Sequence, residues 1–174
     1  MNNKFKIESI AIEHKLDDNP DTSFIGEYTS DLDDGVLVRQ YDKFYEDLTE
    51  EEKDQINTRN REYTGFEPYA GGEKLGTKEY KEYGLQDYKR MEQLNNGDFS
   101  FMGIIAHANI YLEENGRSTY QKITSGGIWG VESDSDKSYI EEIEKEQTED
   151  LKHQLEHLNV DTSNFDHTKI DRKQ

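Results

Sequence analysis

The chain has 174 residues, a length that suits one domain with a real core, and its 11 Tyr and 7 Phe offset a hydrophobic content of only 31%. The absence of cysteine excludes disulfides, thiolate metal ligands and a cysteine nucleophile, as is typical of a cytoplasmic protein. A formal net charge of −18 disfavours direct contact with nucleic acid or anionic membranes, and no apolar run suits a signal peptide or a membrane span.

Short extended segments are predicted near the N-terminus. Alternating apolar residues over 5–12 predict a half-buried strand with one irregularity. After a turn around Asn19-Pro20, further extended pieces are predicted at 24–28 and at 36–39.

Helical spacing follows these strands. Apolar residues in the segment 41–48 recur at i, i+3, i+4 and i+7, which predicts one face of a helix. Thr49 and Glu52 match a capping box, so a new helix is expected from there to about Arg59.

The middle of the chain combines a glycine-rich segment with a tyrosine-rich one. Residues 60–76, with four glycines and Pro68, predict a long ordered loop. Apolar residues over 80–94 predict a helix that is interrupted or begins near Gly84, and Asn95-Asn96-Gly97 provides a stop signal.

The strongest strand signal lies in the second half. Asn115-Gly116 between two β-rich runs predicts a hairpin of residues 99–113 and 118–125. A stripe of Ile and Leu over 140–158, with Ser138 and Glu141 as a capping box, predicts a helix lying on that sheet. The predicted fold is therefore α+β, an antiparallel sheet packed by two or three helices in a single domain over 1–160, followed by a polar tail over 161–174 that Phe165 and Ile170 partly order.

The stretch SGGIWGVESDSDKSYIEEIE joins this hairpin to the last helix. Its carboxylates would repel phosphate, which argues against a phosphate cradle, and they suit the positive end of the helix. A cation at Asp134 and Asp136 stays open, although the EF-hand spacing is missing. We expect a structural motif in which glycines permit a bulge or close backbone approach, Trp129 packs and the acids cap the helix. The glycines are Gly126, Gly127 and Gly130.

This stretch, continued to EKEQTEDLKHQLEHL, together with DNPDTSFIGEY and YKRMEQLNNGDF, resembles uncharacterised proteins of bacterial mobile elements and phages. The resemblance covers much of the chain. It implies a mobile-element setting and no particular activity.

Histidines provide the main enzymatic alternatives. His153, Glu156 and His157 match an H-x-x-E-H zinc motif, but little chain follows to supply a third ligand, and two exposed histidines near a helix end are the simpler interpretation. His107 lies in an apolar strand and is expected to be a buried histidine rather than a catalytic one. No catalytic residue, metal or cofactor is predicted, and the protein is expected not to be an enzyme.

Negative charge is concentrated in two segments, residues 13–54 with 15 acids against four bases and residues 132–150 with nine acids against two. These segments suggest a non-enzymatic binding protein that occupies a basic surface of a nucleic-acid-handling protein, as DNA-mimicking anti-restriction or counter-defence proteins do. A solvated acidic face that only favours solubility is the alternative explanation. The candidate partner-binding residues are Asp42, Glu46, Asp47, Glu50, Glu51, Asp54, Glu141, Glu142, Glu144 and Glu149, with Glu146 and Asp150 in the same row.

The competing hypothesis is a small ligand-binding or enzymatic domain. Its site would lie in the aromatic, glycine-rich loop 60–76 against the sheet. The two hypotheses differ in shape, because mimicry needs acids on a convex surface and a ligand site needs a concave pocket with inward-facing polar groups.

Overall fold

A computed structural model describes residues 5–59, 63–163, 165 and 171–173. The chain divides into two compact units, one formed by Met1–Pro20 with Phe99–Gln174 and the other by Asp21–Asp98. The second unit is thus inserted in sequence between two parts of the first. Each unit has its own sheet. The single domain over 1–160 stays a prediction.

Both units combine strands with helices, which confirms the α+β class. The first unit contains β1 (Lys6–Leu16), β6 (Phe101–Glu114), β7 (Arg117–Thr124), β8 (Ile128–Glu132), α3 (Lys137–His157) and β9 (Asp171–Lys173). The second unit contains β2 (Gly26–Thr29), β3 (Leu37–Val38), β4 (Lys43–Phe44), α1 (Glu50–Asp54), β5 (Gly65–Pro68) and α2 (Lys78–Asn96).

The five-stranded sheet of the first unit is built around β6. The strand order is β7-β6-β1-β9, with β8 also pairing with β6, and all pairs except β1 with β9 are antiparallel. The predicted hairpin is confirmed, and Asn115 (φ 51°) and Gly116 (φ 73°) both have the positive φ of a type I′ turn. The expected irregularity in β1 is a register shift between Ile7 and Ser9.

Helix α3 packs on one face of this sheet, as expected. Its buried Ile143, Leu151 and Leu155 lie against alternate residues of β6, such as Ile104 and Ala106, which point to the same face. Leu158, assigned to the same stripe, is exposed, because the helix has ended at His157.

The residues after α3 return to the start of β1. Val160 joins the core, the backbone N–H of Asp161 bonds to the carbonyl of Phe5, and Phe165 packs against the core cluster. Part of the predicted polar tail is therefore ordered by apolar contacts. Ile170, to which the same role was assigned, lies outside the described residues.

The second unit has a four-stranded antiparallel sheet of order β2-β5-β3-β4. Helix α2 runs without interruption through Gly84, so the predicted break is wrong. Gly84 is where the helix approaches Phe44 and Pro68, since a Cβ there would lie 2.9 Å from both side chains. The helix ends at Gly97 (φ 78°), as predicted.

Two further expectations in this unit are corrected. Residues 41–48 are not a helix, because Lys43–Phe44 pairs with β3 and only Tyr45–Asp47 forms a 3₁₀ turn. Residues 60–76 are not one long loop, because Gly65–Pro68 pairs with both β2 and β3. Residues 60–62 of this segment lie outside the described residues.

One of the two predicted capping boxes is present. Thr49 and Glu52 form the expected capping box, although α1 ends at Asp54 and not near Arg59. The second predicted box is wrong, because α3 begins one residue before Ser138, with Asp136 at the N-cap position and no capping bond from its side chain. Within the described part of the chain, no helix combines the length and apolar character needed to cross a membrane.

Candidate functional site

The outward side of α3 presents most of the acids assigned to it. The apolar stripe faces the sheet, and the exposed positions of the helix include Glu141, Glu142, Glu146 and Glu149. Glu142, Glu146 and Glu149 follow each other at i+4 and i+3, so their carboxylates form one row along the helix. We call these three residues the α3 acidic row.

Two exposed lysines of α3 lie near its exposed acids. Lys137 Nζ lies 3.4 Å from Glu141 Oε1, and Lys145 Nζ lies 3.9 Å from Glu149 Oε1. Ion pairs that are this exposed are worth less than about 1 kcal/mol, so they order the carboxylates little and leave the surface net negative.

Glu144 corrects the predicted binding surface. It is only 5% exposed, and its carboxylate lies 3.0 Å from His14 Nε2 on β1. Asp150, also placed in the row, accepts bonds from Gln154 and from the backbone N–H of Gly126. Both acids therefore connect α3 to its own unit, and sequence reasoning missed the Glu144 contact because 130 residues separate the partners.

The acids of the second unit are more strongly neutralised. Lys81 on α2 lies 2.7 Å from Glu46 and 2.6 Å from Asp47, and Lys53 lies 3.0 Å from Glu50. Three further candidate acids of this unit are exposed and form no ion pair among the described residues: Asp42, Glu51 and Asp54. The local charge is thus lower than the sequence count suggested.

The glycine–tryptophan motif is a β-bulge, as expected. Met102 pairs with Val131 and Ile104 with Ile128, so Trp129 and Gly130 (φ 75°) together lie opposite Gly103. The Trp129 ring covers Gly103, where a Cβ would be 2.5 Å from it, yet Trp129 is 45% exposed. Its predicted packing is therefore one-sided.

The two neighbouring glycines serve the connection between β7 and β8. Gly127 (φ 77°) donates its backbone N–H to Gln147 of α3. Gly126 has open space around it, and its N–H reaches Asp150 at 3.4 Å. The close approach predicted for this segment is thus made at Gly127.

The candidate histidines are placed on a helix end and in a buried strand. His153 and His157 are exposed, and Nδ1 of His157 lies 2.8 Å from the carbonyl of His153, so it is engaged within the helix. His107 is 5% exposed, as expected of a buried histidine. No group of three metal-ligating side chains occurs among the residues that the structure describes, and Asp134 and Asp136 are exposed ahead of α3.

A polar cluster in the second unit was missed by sequence reasoning. Arg39 Nη2 lies 2.7 Å from Glu92, and the hydroxyl of Tyr28 donates to the same carboxylate at 2.7 Å. The Arg39 guanidinium lies over the Tyr28 ring at 4.6 Å and donates to the carbonyl of Tyr63. No local sequence pattern predicts this cluster, because its members come from β2, the residue after β3 and α2.

Burial changes the acid–base properties of this cluster. Burial, with the neighbouring Glu92 carboxylate, raises the pKa of Tyr28 well above its usual value. Burial opposes the charge of Arg39, but hydrogen bonding to Tyr88 and the Glu92 carboxylate outweigh it and raise the pKa of the guanidinium. At neutral pH the Arg39 guanidinium therefore stays charged and the Tyr28 hydroxyl stays neutral.

A polar cavity of about 450 Å³ adjoins Arg39. It is lined by Arg39, Gln40, Asn57, Arg59, Tyr63 and Thr64. Among the residues that the structure describes, the lining carries two arginines and no carboxylate, although the chain as a whole has 39 acids against 21 bases. Such a lining favours an anionic ligand.

Comparison with known proteins adds no relative to this description. No family model matches the chain, and neither the search of curated proteins nor that of solved structures returns a match.

Proposed function

We propose that this protein is an acidic, non-enzymatic binding protein that docks the outward side of α3 on a basic surface of a nucleic-acid-handling protein. The observation that carries the proposal is the α3 acidic row, whose members Glu142, Glu146 and Glu149 are exposed on one side of a helix anchored by its other side. The acidic second-unit segment is a weaker candidate, because lysines pair with three of its acids.

Charge density supports partial imitation of a nucleic acid. The three carboxylates span about 10 Å of helix, or about one charge per 5 Å, whereas duplex DNA carries one per about 1.7 Å. A basic protein surface would bind such a row through long-range attraction, and this attraction weakens with salt. The sequence resemblance implies a mobile-element setting, in which a DNA-mimicking counter-defence role would be the specific form of this function.

The test compares two triple variants of equal charge. Glu142, Glu146 and Glu149 are changed to Gln in one, and the exposed Glu73, Glu79 and Glu113 are changed to Gln in the control. Each protein is immobilised, exposed to bacterial lysate at low and high salt, and the captured proteins are identified by mass spectrometry. Each captured protein is then purified and tested for competition between this chain and duplex DNA.

The expected result is salt-sensitive capture of a basic nucleic-acid-handling protein by the wild type and the control. The α3 variant should lose at least tenfold in affinity, and duplex DNA should compete. Equal binding by the two triple variants, or partners that DNA does not displace, would contradict the proposal.

The alternative function, a small-ligand site, is supported by the cavity beside Arg39. Two arginines and two amides suit a phosphate or carboxylate group, and Tyr63 offers a ring face beside them. Titration with inorganic phosphate, monitored by the amide spectra of Gln40 and Thr64, tests this site. Saturable shifts that Arg59→Gln weakens would support it, and unchanged spectra at millimolar phosphate would exclude it.

A further inference from the structure

The outer edge of the five-stranded sheet differs in charge from the rest of the molecule. Residues 115–131 contain no Asp or Glu, whereas the full chain has 39 of them. This segment supplies β7 and most of β8, which both pair with the same side of β6. In a strongly acidic protein, all of β7 and residues 128–131 of β8 thus carry no carboxylate.

Strand β7 is exposed along its whole length except at Ile123. It is the terminal strand in the order β7-β6-β1-β9, and Tyr120 is 60% exposed. An exposed edge strand of eight residues has one row of backbone donors and acceptors without a neighbouring strand. Among the described residues, no strand other than β6 pairs with β7.

The phase of the ladder shows which residues face outward. Ser125 donates its N–H to the carbonyl of Ala106, one position beyond the pair of His107 with Thr124. Because inward and outward bonding alternate along an antiparallel strand, the backbone groups directed away from β6 belong to the even-numbered residues. These residues are Ser118, Tyr120, Lys122 and Thr124.

We propose that this edge binds a second copy of the same chain, with β7 pairing antiparallel to β7 of its partner about a twofold axis at Gln121. This register pairs all four outward-facing residues, Ser118 with Thr124 and Tyr120 with Lys122, and each pair occurs twice by symmetry.

The side chains in this register are compatible. Lys122 lies opposite Tyr120 of the other copy and not opposite another lysine, so the ammonium and its methylene stem meet an aromatic ring. Tyr120 is already stacked on Tyr111 at 6.2 Å, which limits its loss of freedom on pairing. Thr119 would face Ile123, a pair of β-branched residues.

Charge explains why a second copy would meet this edge. Two molecules with net charge −18 repel each other, and the repulsion between carboxylates is smallest where both contribute an acid-free strand. Because the remaining repulsion is screened by salt, dimerisation should strengthen with ionic strength. Binding to a basic partner through α3 should instead weaken as ionic strength rises. The two interactions therefore respond to salt in opposite directions.

Sedimentation velocity of the full chain between 10 µM and 1 mM, at 50 and 500 mM NaCl, tests the proposal. We expect a monomer–dimer equilibrium with a dissociation constant on the order of 100 µM, since pairing along one short edge is a small interface. The dissociation constant should fall severalfold at the higher salt. A chain that stays monomeric at 1 mM in both buffers would overturn the proposal.

Matched variants locate the interface. Lys122→Glu and Lys145→Glu change the net charge equally, but only the first introduces an acid into the paired edge. We expect Lys122→Glu to weaken the dimer at least tenfold and Lys145→Glu to change it less than threefold. Equal effects of the two variants would place the interface elsewhere and contradict the proposal.

A backbone variant and spectra provide an independent readout. Tyr120→Pro removes an outward-facing N–H while leaving the β6–β7 ladder intact, and it should abolish dimerisation without loss of the folded amide spectrum. In the wild type, concentration-dependent amide shifts should be largest at Ser118, Lys122 and Thr124. Shifts confined to α3 would overturn the proposal.

Discussion

Tyr28, Arg39 and Glu92 form an interdependent polar cluster in the second unit. Glu92 accepts hydrogen bonds from both partners at 2.7 Å, and the Tyr28 ring also contacts Phe66 and Tyr63. Hydrogen bonds to a charged group contribute more than neutral ones, and leaving one partner unsatisfied costs most where water is excluded. This cluster therefore fixes the position of Arg39 beside its cavity.

Tyr28→Phe should lower the free energy of unfolding by about 2 kcal/mol, because Glu92 loses a hydrogen bond. The raised pKa of Tyr28 also predicts the direction in which folding stability changes at alkaline pH. Stability from the neutral hydroxyl is complete below the unfolded pKa of about 10 and is lost as pH rises through the folded value. Urea unfolding from pH 8 to 11 should show a steeper fall in the wild type than in Tyr28→Phe.

Tyr120→Phe is the matched control, since its side chain is exposed. It should change neither the stability at pH 8 nor the pH dependence. Identical urea midpoints for wild type and Tyr28→Phe would contradict this role of Tyr28.

Asp87 accepts a 2.7 Å bond from the backbone N–H of Ala70, which has a positive φ of 50°. Burial raises the pKa of Asp87, and the Ala70 bond only partly offsets this. A raised folded pKa means that stability is complete below the unfolded pKa of about 3.9 and declines as pH rises through the folded value. Asp87→Asn keeps an acceptor without a charge, so it should be at least as stable as wild type at pH 7.

Asp87→Ala is the informative comparison, because it leaves the Ala70 N–H without its acceptor. It should lower the free energy of unfolding by about 1–2 kcal/mol in thermal or urea unfolding. If Asp87→Asn and Asp87→Ala lowered the free energy of unfolding equally, the hydrogen bond to Ala70 would not explain the loss of stability.

At the scale of elements, packing overrides local preference in the second unit. The segment 41–48 has helical spacing, but Phe44 is buried in a strand pair and contacts Tyr80 of α2, with ring centroids 5.9 Å apart. Gly84 was expected to weaken α2, yet the helix continues because this glycine gives room to Phe44 and Pro68. In both cases a contact distant in sequence decides the conformation.

Gly84→Ala tests this account. Alanine is favoured over glycine in a helix by about 1 kcal/mol, but its Cβ would lie 2.9 Å from Phe44 and Pro68, and overpacking costs about 1–3 kcal/mol. We expect a net loss of about 1 kcal/mol in urea unfolding. Gln86→Ala on the exposed side of α2 should be neutral or stabilising, and a stabilising Gly84→Ala would refute the packing role.

At the scale of the whole molecule, the second unit interrupts the first in sequence but not in its core. Among the described residues, the main hydrophobic cluster is formed by the first unit, from β1, β6, β8, α3 and the segment that follows α3. The ends of β1 and β6 are adjacent, since Leu16 pairs with Met102 and the Asp17 N–H bonds to the Phe101 carbonyl at 2.9 Å.

This adjacency predicts that the first unit folds without the second. Replacing residues 18–99 by a four-residue turn containing Asn-Gly would convert β1 and β6 into a hairpin. We expect a cooperative unfolding transition and dispersed amide signals for α3 and β6 residues. A chain with no cooperative transition would show that the first unit depends on the second for stability.

The sequence alone determined the elements whose causes are local: the Asn115-Gly116 hairpin, the apolar stripe of α3, the capping box at Thr49 and the glycine stop of α2. Turn chemistry, periodicity and capping act over a few residues, so they can be interpreted without a fold. Only the tertiary structure decided that Glu144 is buried against His14, that Lys81 neutralises acids of another segment, and that Arg39 and Glu92 meet. These contacts join residues 34 to 130 positions apart, and their energies depend on burial and distance, which exist only after the chain has folded.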